Sequence, residues 1–90
     1  MKLVFRQHAI RRMFARGISA HDVATVLTEG KAIEDYPEDM PYPSRLVMGS
    51  VNARPLHVVV ADNEPDGKRI VITVYEPDPA RWEPDFATRK

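Results

Sequence analysis

The 90-residue sequence contains no cysteine. Neither a disulfide framework nor a thiolate metal site can hold this fold. No apolar run approaches the ~20 residues of a membrane span. The N-terminal MKLVFRQH has only a short apolar stretch before Arg6, too little for the hydrophobic region of a signal peptide. The cytoplasm is therefore the expected location. Net charge is also missing, because 13 basic and 13 acidic residues cancel. That balance speaks against the overall basic excess usual in nucleic-acid-binding domains. There are no internal repeats, no low-complexity segments, no phosphate-binding glycine loop and no nucleophile elbow. His8, His21 and His57 lie far apart, and none forms a close His/carboxylate pair of the zincin type. No metal site and no cofactor is expected.

What remains is an ordinary globular composition, 43% hydrophobic. A chain of this length buries roughly 60–65% of its unfolded surface, so one modest core and a single domain over residues 1–90 are expected. The charge that cancels overall is unevenly distributed. Residues 1–31 hold six basic residues against Asp22 and Glu29, a local +4. Residues 32–44 hold Glu34, Asp35, Glu38 and Asp39 with no base, a local −4. Such asymmetry can steer a charged partner to one side, and in a short chain it can equally arise by chance.

The stretch HAIRRMFARGIS, from His8 to Ser19, sets the first element. Ile10, Met13, Phe14 and Gly17 recur at i, i+3, i+4 and i+7, which predicts an amphipathic helix with these residues inward. Gly17 suits the left-handed position that ends it. Ser19 then offers an N-cap with Asp22 three residues on, a near capping box. Val23, Val26 and Leu27 form the stripe of a second helix, stopped by Gly30. The expectation is a tight helical hairpin.

Beyond Gly30 the period falls from 3.6 to 2. KAIEDY is a weak strand candidate, and PEDMPYP is a loop. RLVMGSV (45–51), PLHVVVA (55–61) and RIVITVYE (69–76) are stronger strands. Asn52-Ala53 suggests a hairpin, and Pro65-Asp66-Gly67 a turn. Short connections favour an antiparallel meander. Trp82 and Phe86 in the proline-rich tail are expected to pin it onto the domain. The fold class is thus α+β: an N-terminal helical hairpin packed on a three- to four-stranded antiparallel sheet. Strict alternation places Leu56, Val58, Val60, Ile70, Ile72 and Val74 toward the helices. It places His57, Thr73 and Tyr75 on a face left open.

His57 and Tyr75 are the catalytic candidates, since histidine exchanges protons near neutral pH and tyrosine can donate one. The alternative is a half-buried strand histidine beside an ordinary strand aromatic. Arg45 and Arg54 flank the strands and offer planar forks suited to phosphate, though exposed arginines at strand ends are common. His8, Arg12 and Arg16, at i, i+4 and i+8 with Arg11 one step round, can meet a nucleic-acid backbone or an acidic partner. A merely solvated helix face needs the same spacing.

Taken together, HAIRRMFARGIS, DVATVLTEG, YPEDMPYPSRLVMG, RPLHVVVA and IVITVYEPDPARWEPDF resemble the bacterial domain-of-unknown-function family 4258 over nearly the whole chain. That family is similar in outline to RelE/ParE-like toxins of type II toxin–antitoxin systems. The resemblance implies the same helical hairpin on an antiparallel sheet. It implies endoribonuclease activity on mRNA (an mRNA interferase), in which the RNA 2′-hydroxyl attacks the adjacent phosphate without a metal. His57 would be the acid/base, Tyr75 would orient or donate a proton, and Arg45 or Arg54 would stabilise the phosphate. His8, Arg11, Arg12 and Arg16 would contact RNA, on or off the ribosome, or a partner. The implied partner is a small antitoxin, often one with a zinc-binding Cys-x-x-Cys domain. A non-catalytic interaction module and a ParE-like gyrase-directed toxin are the alternatives. Family members commonly place a small hydroxyl residue two positions before the His-Ala pair. Here Arg6 stands there, which weakens the cap of the first helix.

Overall fold

A computed structural model describes residues 1–90. The elements run β1 (Lys2–Phe5), α1 (Gln7–Arg16), α2 (Ala20–Glu29), β2 (Lys31–Tyr36), β3 (Ser44–Val51), β4 (Arg54–Asn63) and β5 (Lys68–Tyr75). The fold is α+β as expected, but the sheet has five strands in the order β1-β5-β4-β3-β2. It is mixed rather than antiparallel, because β1 pairs parallel with β5 from Lys2↔Lys68 to Phe5↔Val71. The other three pairings are antiparallel. Four residues are too few to show a strand period, and the partner of β1 lies at the far end of the sequence. Neither helix is long and apolar enough to cross a membrane.

The two helices form as their punctuation dictates, α1 packing on β5 and α2 on β3 and β4. Arg6 sits at the N-cap of α1 with no side-chain cap bond. Gly17 ends α1 at φ 64°, and its N–H reaches the carbonyls of Met13 and Phe14. Ser19 and Asp22 close a reciprocal capping box, each backbone N–H donating to the other side chain at 3.0 Å. Gly30 follows α2 in extended backbone. Its role is clearance, since an added Cβ would overlap the carbonyl oxygens of Val26 and Met48.

The inward face of α1 is rotated from the expected one. Ala9 and Met13 enter the core with Ile18, whereas Ile10 is 51% and Phe14 91% exposed. The hydrophobicity pattern favoured the large side chains, but the close packing of α1 on β5 takes the face headed by small Ala9.

The sheet alternation also breaks once. Val59 pairs with Thr73 but Val60 pairs with Val71, so Ile72 is an extra residue in β5, a bulge. The bulge reverses the parity of the first half of β5. Val71, rather than Ile70 and Ile72, joins Leu56, Val58, Val60 and Val74 in the core beneath the helices.

The opposite sheet face is not open around His57. The segment after Tyr75 folds back across it, as Trp82 and Phe86 foretold. Trp82 is 3% exposed, and its ring meets the His57 ring edge-on with centroids 4.5 Å apart. Arg89 closes the strap. It donates to both oxygens of Glu34, at 2.7 and 3.0 Å, and lies 4.6 Å above the centre of the Trp82 ring.

Candidate functional site

Because β1 stops at Phe5↔Val71, the last residues of β5 extend beyond it. A cavity of about 490 Å³ lies against this overhang. Its floor is Thr73 to Glu76, one wall is His8, Arg12 and Arg16 of α1, and the other is Arg81, Trp82 and Arg89 of the returning tail. The i, i+4, i+8 spacing read in the sequence does line up three side chains, and they face the cavity. His8 Nε2 is hydrogen-bonded to Thr73 Oγ1 at 3.0 Å, which holds the imidazole against the strand.

Charge pairing distinguishes the cations here. Four ion pairs form: Arg45–Asp62, Arg69–Asp62, Arg54–Glu76 and Arg89–Glu34. Arg12, Arg16 and Arg81 take part in none, and all three line the cavity. Glu76 and Asp78 also line it. Glu76 is held by Arg54 at 2.8 Å, and that guanidinium keeps its carboxyl below the usual range. Asp78 accepts from the N–H of Ala80 at 2.9 Å. Arg12, Arg16 and Arg81 are thus not committed to a carboxylate of this molecule, and a guanidinium fork suits an anion.

His57 lies beneath this site rather than in it. Its side chain is fully buried. Phe86 O can only accept, so His57 Nε2 donates to it at 2.7 Å, and Nδ1 accepts from the Tyr75 hydroxyl at 3.2 Å. Both ring nitrogens are therefore satisfied in the neutral form. Burial lowers the His57 pKa, opposed by the Phe86 hydrogen bond and by the charge of Glu34. Tyr75 bridges the two regions. Its ring lines the cavity, its hydroxyl holds His57, and burial raises its pKa. Alongside, burial and the neighbouring Glu34 carboxylate push Tyr36 up to about 12.

The remaining candidates are dispersed. Arg54 donates to the carbonyls of Arg16 and Gly17 and to Glu76, so it ties the end of α1 to the end of β5. Arg45 pairs with Asp62 beside Pro43, Glu64 and Pro65, away from the cavity. Arg11 is exposed on α1 and does not line it. No three His, Cys, Asp or Glu side chains converge as a metal site would require.

Arg81 and Arg89 are the residues that sequence reasoning missed. The signal available was their position: Arg81 precedes Trp82, the residue expected to anchor the tail, so wherever Trp82 docks, Arg81 arrives at its rim. No curated protein and no solved structure matches the chain. Residues 5–76, from the end of β1 through β5 and including the cavity floor and its α1 wall, match the family model described as Domain of unknown function (DUF4258), and the chain belongs to that family.

Proposed function

We propose that this domain is a cytoplasmic endoribonuclease of the RelE/ParE-like toxin type, binding RNA in the cavity beside β5 and neutralised by a small antitoxin protein. The observation that supports it is the convergence of three unpaired guanidiniums, Arg12, Arg16 and Arg81, with His8 and Tyr75 on one cavity. Transphosphorylation of RNA needs that set of groups: a base, an acid and cations around a phosphate. Local rather than overall charge supplies the attraction, so the neutral composition is no obstacle.

In the proposed reaction, His8 takes the proton of the 2′-hydroxyl as its oxygen bonds to phosphorus. The P–O5′ bond breaks as the Tyr75 hydroxyl turns from His57 Nδ1 and gives its proton to the leaving 5′-oxygen; the proton taken up by His8 returns to Tyr75 through solvent. The products are a 2′,3′-cyclic phosphate and a 5′-hydroxyl. Arg12, Arg16 and Arg81 stabilise the charge on the phosphorane. His57 acts at one remove, positioning Tyr75 through the Nδ1 bond. Arg54 holds the end of α1, and with it Arg16, against β5.

The test is cleavage of single-stranded RNA by the purified protein, with and without ribosomes. Wild type should cut, a 2′-deoxy substitution at the scissile position should block cutting, and chelator should leave the rate unchanged. His8→Ala and Tyr75→Phe should each lose about 100-fold or more in rate while remaining folded. Intact RNA with wild type under both conditions would overturn the catalytic reading. Salt-dependent RNA binding without cleavage would leave a phosphate-binding interaction module.

A further inference from the structure

The flank of α1 turned away from the cavity carries a second feature. Ile10 and Phe14 stand one turn apart on it, largely exposed. Arg11 lies beside them and Arg6 at the helix start, both exposed and neither in an ion pair. No acidic residue occurs in α1. Phe14 is too exposed to contribute to this molecule's own core.

At the other margin of the sheet is its chemical complement. The loop from Pro37 to Pro43, between β2 and β3, presents Met40 at 87% exposure. Glu38 and Asp39 precede it, and Asp35 is exposed at the end of β2. Ser44 Oγ donates to Asp39 at 2.5 Å, which ties the end of this loop to β3. Helix α1 packs on β5, whereas β2 is the far edge strand, with β4 and β3 between. The two features therefore cannot meet within one molecule.

We infer that a second copy of this chain docks its 37–43 loop on the Ile10/Phe14 face of α1. Met40 lies against the Phe14 ring, a contact that suits a thioether, and Asp35, Glu38 and Asp39 face Arg6 and Arg11. The polarity is set by Arg6 and Arg11 on the helix face and by Asp35, Glu38 and Asp39 around the loop. The contact is heterologous, one surface meeting a different one, so it propagates head to tail or closes into a ring rather than ending in a two-fold dimer.

Sedimentation of the full chain over a range of concentrations tests this. Wild type should grow in apparent mass with concentration, less so in molar salt. Phe14→Glu and Met40→Glu change exposed side chains and should fold normally. Each should associate about tenfold or more weakly than wild type. The decisive sample is their equimolar mixture. Phe14→Glu keeps an intact loop and Met40→Glu an intact helix face, so the mixture should recover association and stop at a heterodimer. Wild type that stays monomeric, or a mixture no stronger than its two components, overturns the inference.

Discussion

Replacing His57 by leucine keeps the apolar volume between Tyr75 and Trp82 but removes both hydrogen bonds of the imidazole. Phe86 O and the Tyr75 hydroxyl then lose partners that they now hold at 2.7 and 3.2 Å. With the strap lying over the site, His57→Leu should lose about 2–3 kcal/mol of stability near pH 7.5. The loss should shrink in acid, because burial lowers the folded-state pKa of His57. Below the unfolded-state value the denatured chain therefore binds a proton that the native chain does not. Stability contributed by a neutral His57 is thus full above that value and falls with pH down to the folded-state pKa. If His57 stays neutral throughout, linkage sets a ceiling of about 1.4 kcal/mol on the narrowing between pH 7.5 and 5.5. Several carboxyls are also held low, among them Glu34 by Arg89 and Asp62 by Arg69. Their stabilisation is lost at still lower pH, outside this window. The assay is urea unfolding of wild type and variant at half-unit pH steps, reading the difference between the two, so that groups common to both cancel. A difference that is flat between pH 8 and 5, or that widens in acid, would refute the assignment of His57 as a neutral structural residue.

Two further outcomes bear on the scaffold. Gly30→Ala should destabilise by about 1–3 kcal/mol, because its Cβ would meet the Val26 and Met48 carbonyls and force α2 away from β3; denaturant titration checks it. Ser19→Ala removes the oxygen that accepts from the Asp22 N–H and should cost about 1 kcal/mol, read as a lower Tm with unchanged cleavage of RNA.

Local chemistry was legible in the sequence, and long-range geometry was not. Ser19, Asp22 and Gly17 announced the break between the two helices because caps and left-handed turns are decided within a few residues. β3, β4 and β5 fell close to their expected bounds because β-branched runs between turn residues leave few alternatives. The phase of α1 was misjudged because Ala9 adds little to a hydrophobic pattern, yet suits close approach to a sheet. The side assigned to Ile70 and Val71 was wrong because one extra residue, Ile72, reverses an alternation that pattern reading takes as unbroken. The candidate site followed the same division. The row of His8, Arg12 and Arg16 was visible from helical spacing. Trp82 announced that the tail would fold back, but where it docks, and the clasp of Arg89 on Glu34 that brings Arg81 and Arg89 to the row, have no local signature.

The parallel pairing of β1 with β5 has a consequence for the order in which the protein is made. β1 is made before its partner, Lys68 to Val71 of β5, so it waits while the residues between them are synthesised, several seconds at about 5–20 residues per second. The cavity waits longer, since its walls draw on His8 and on Arg89. A nascent chain that stops short of Arg89 lacks part of the cavity wall, so the site is completed only after the strand that forms its floor.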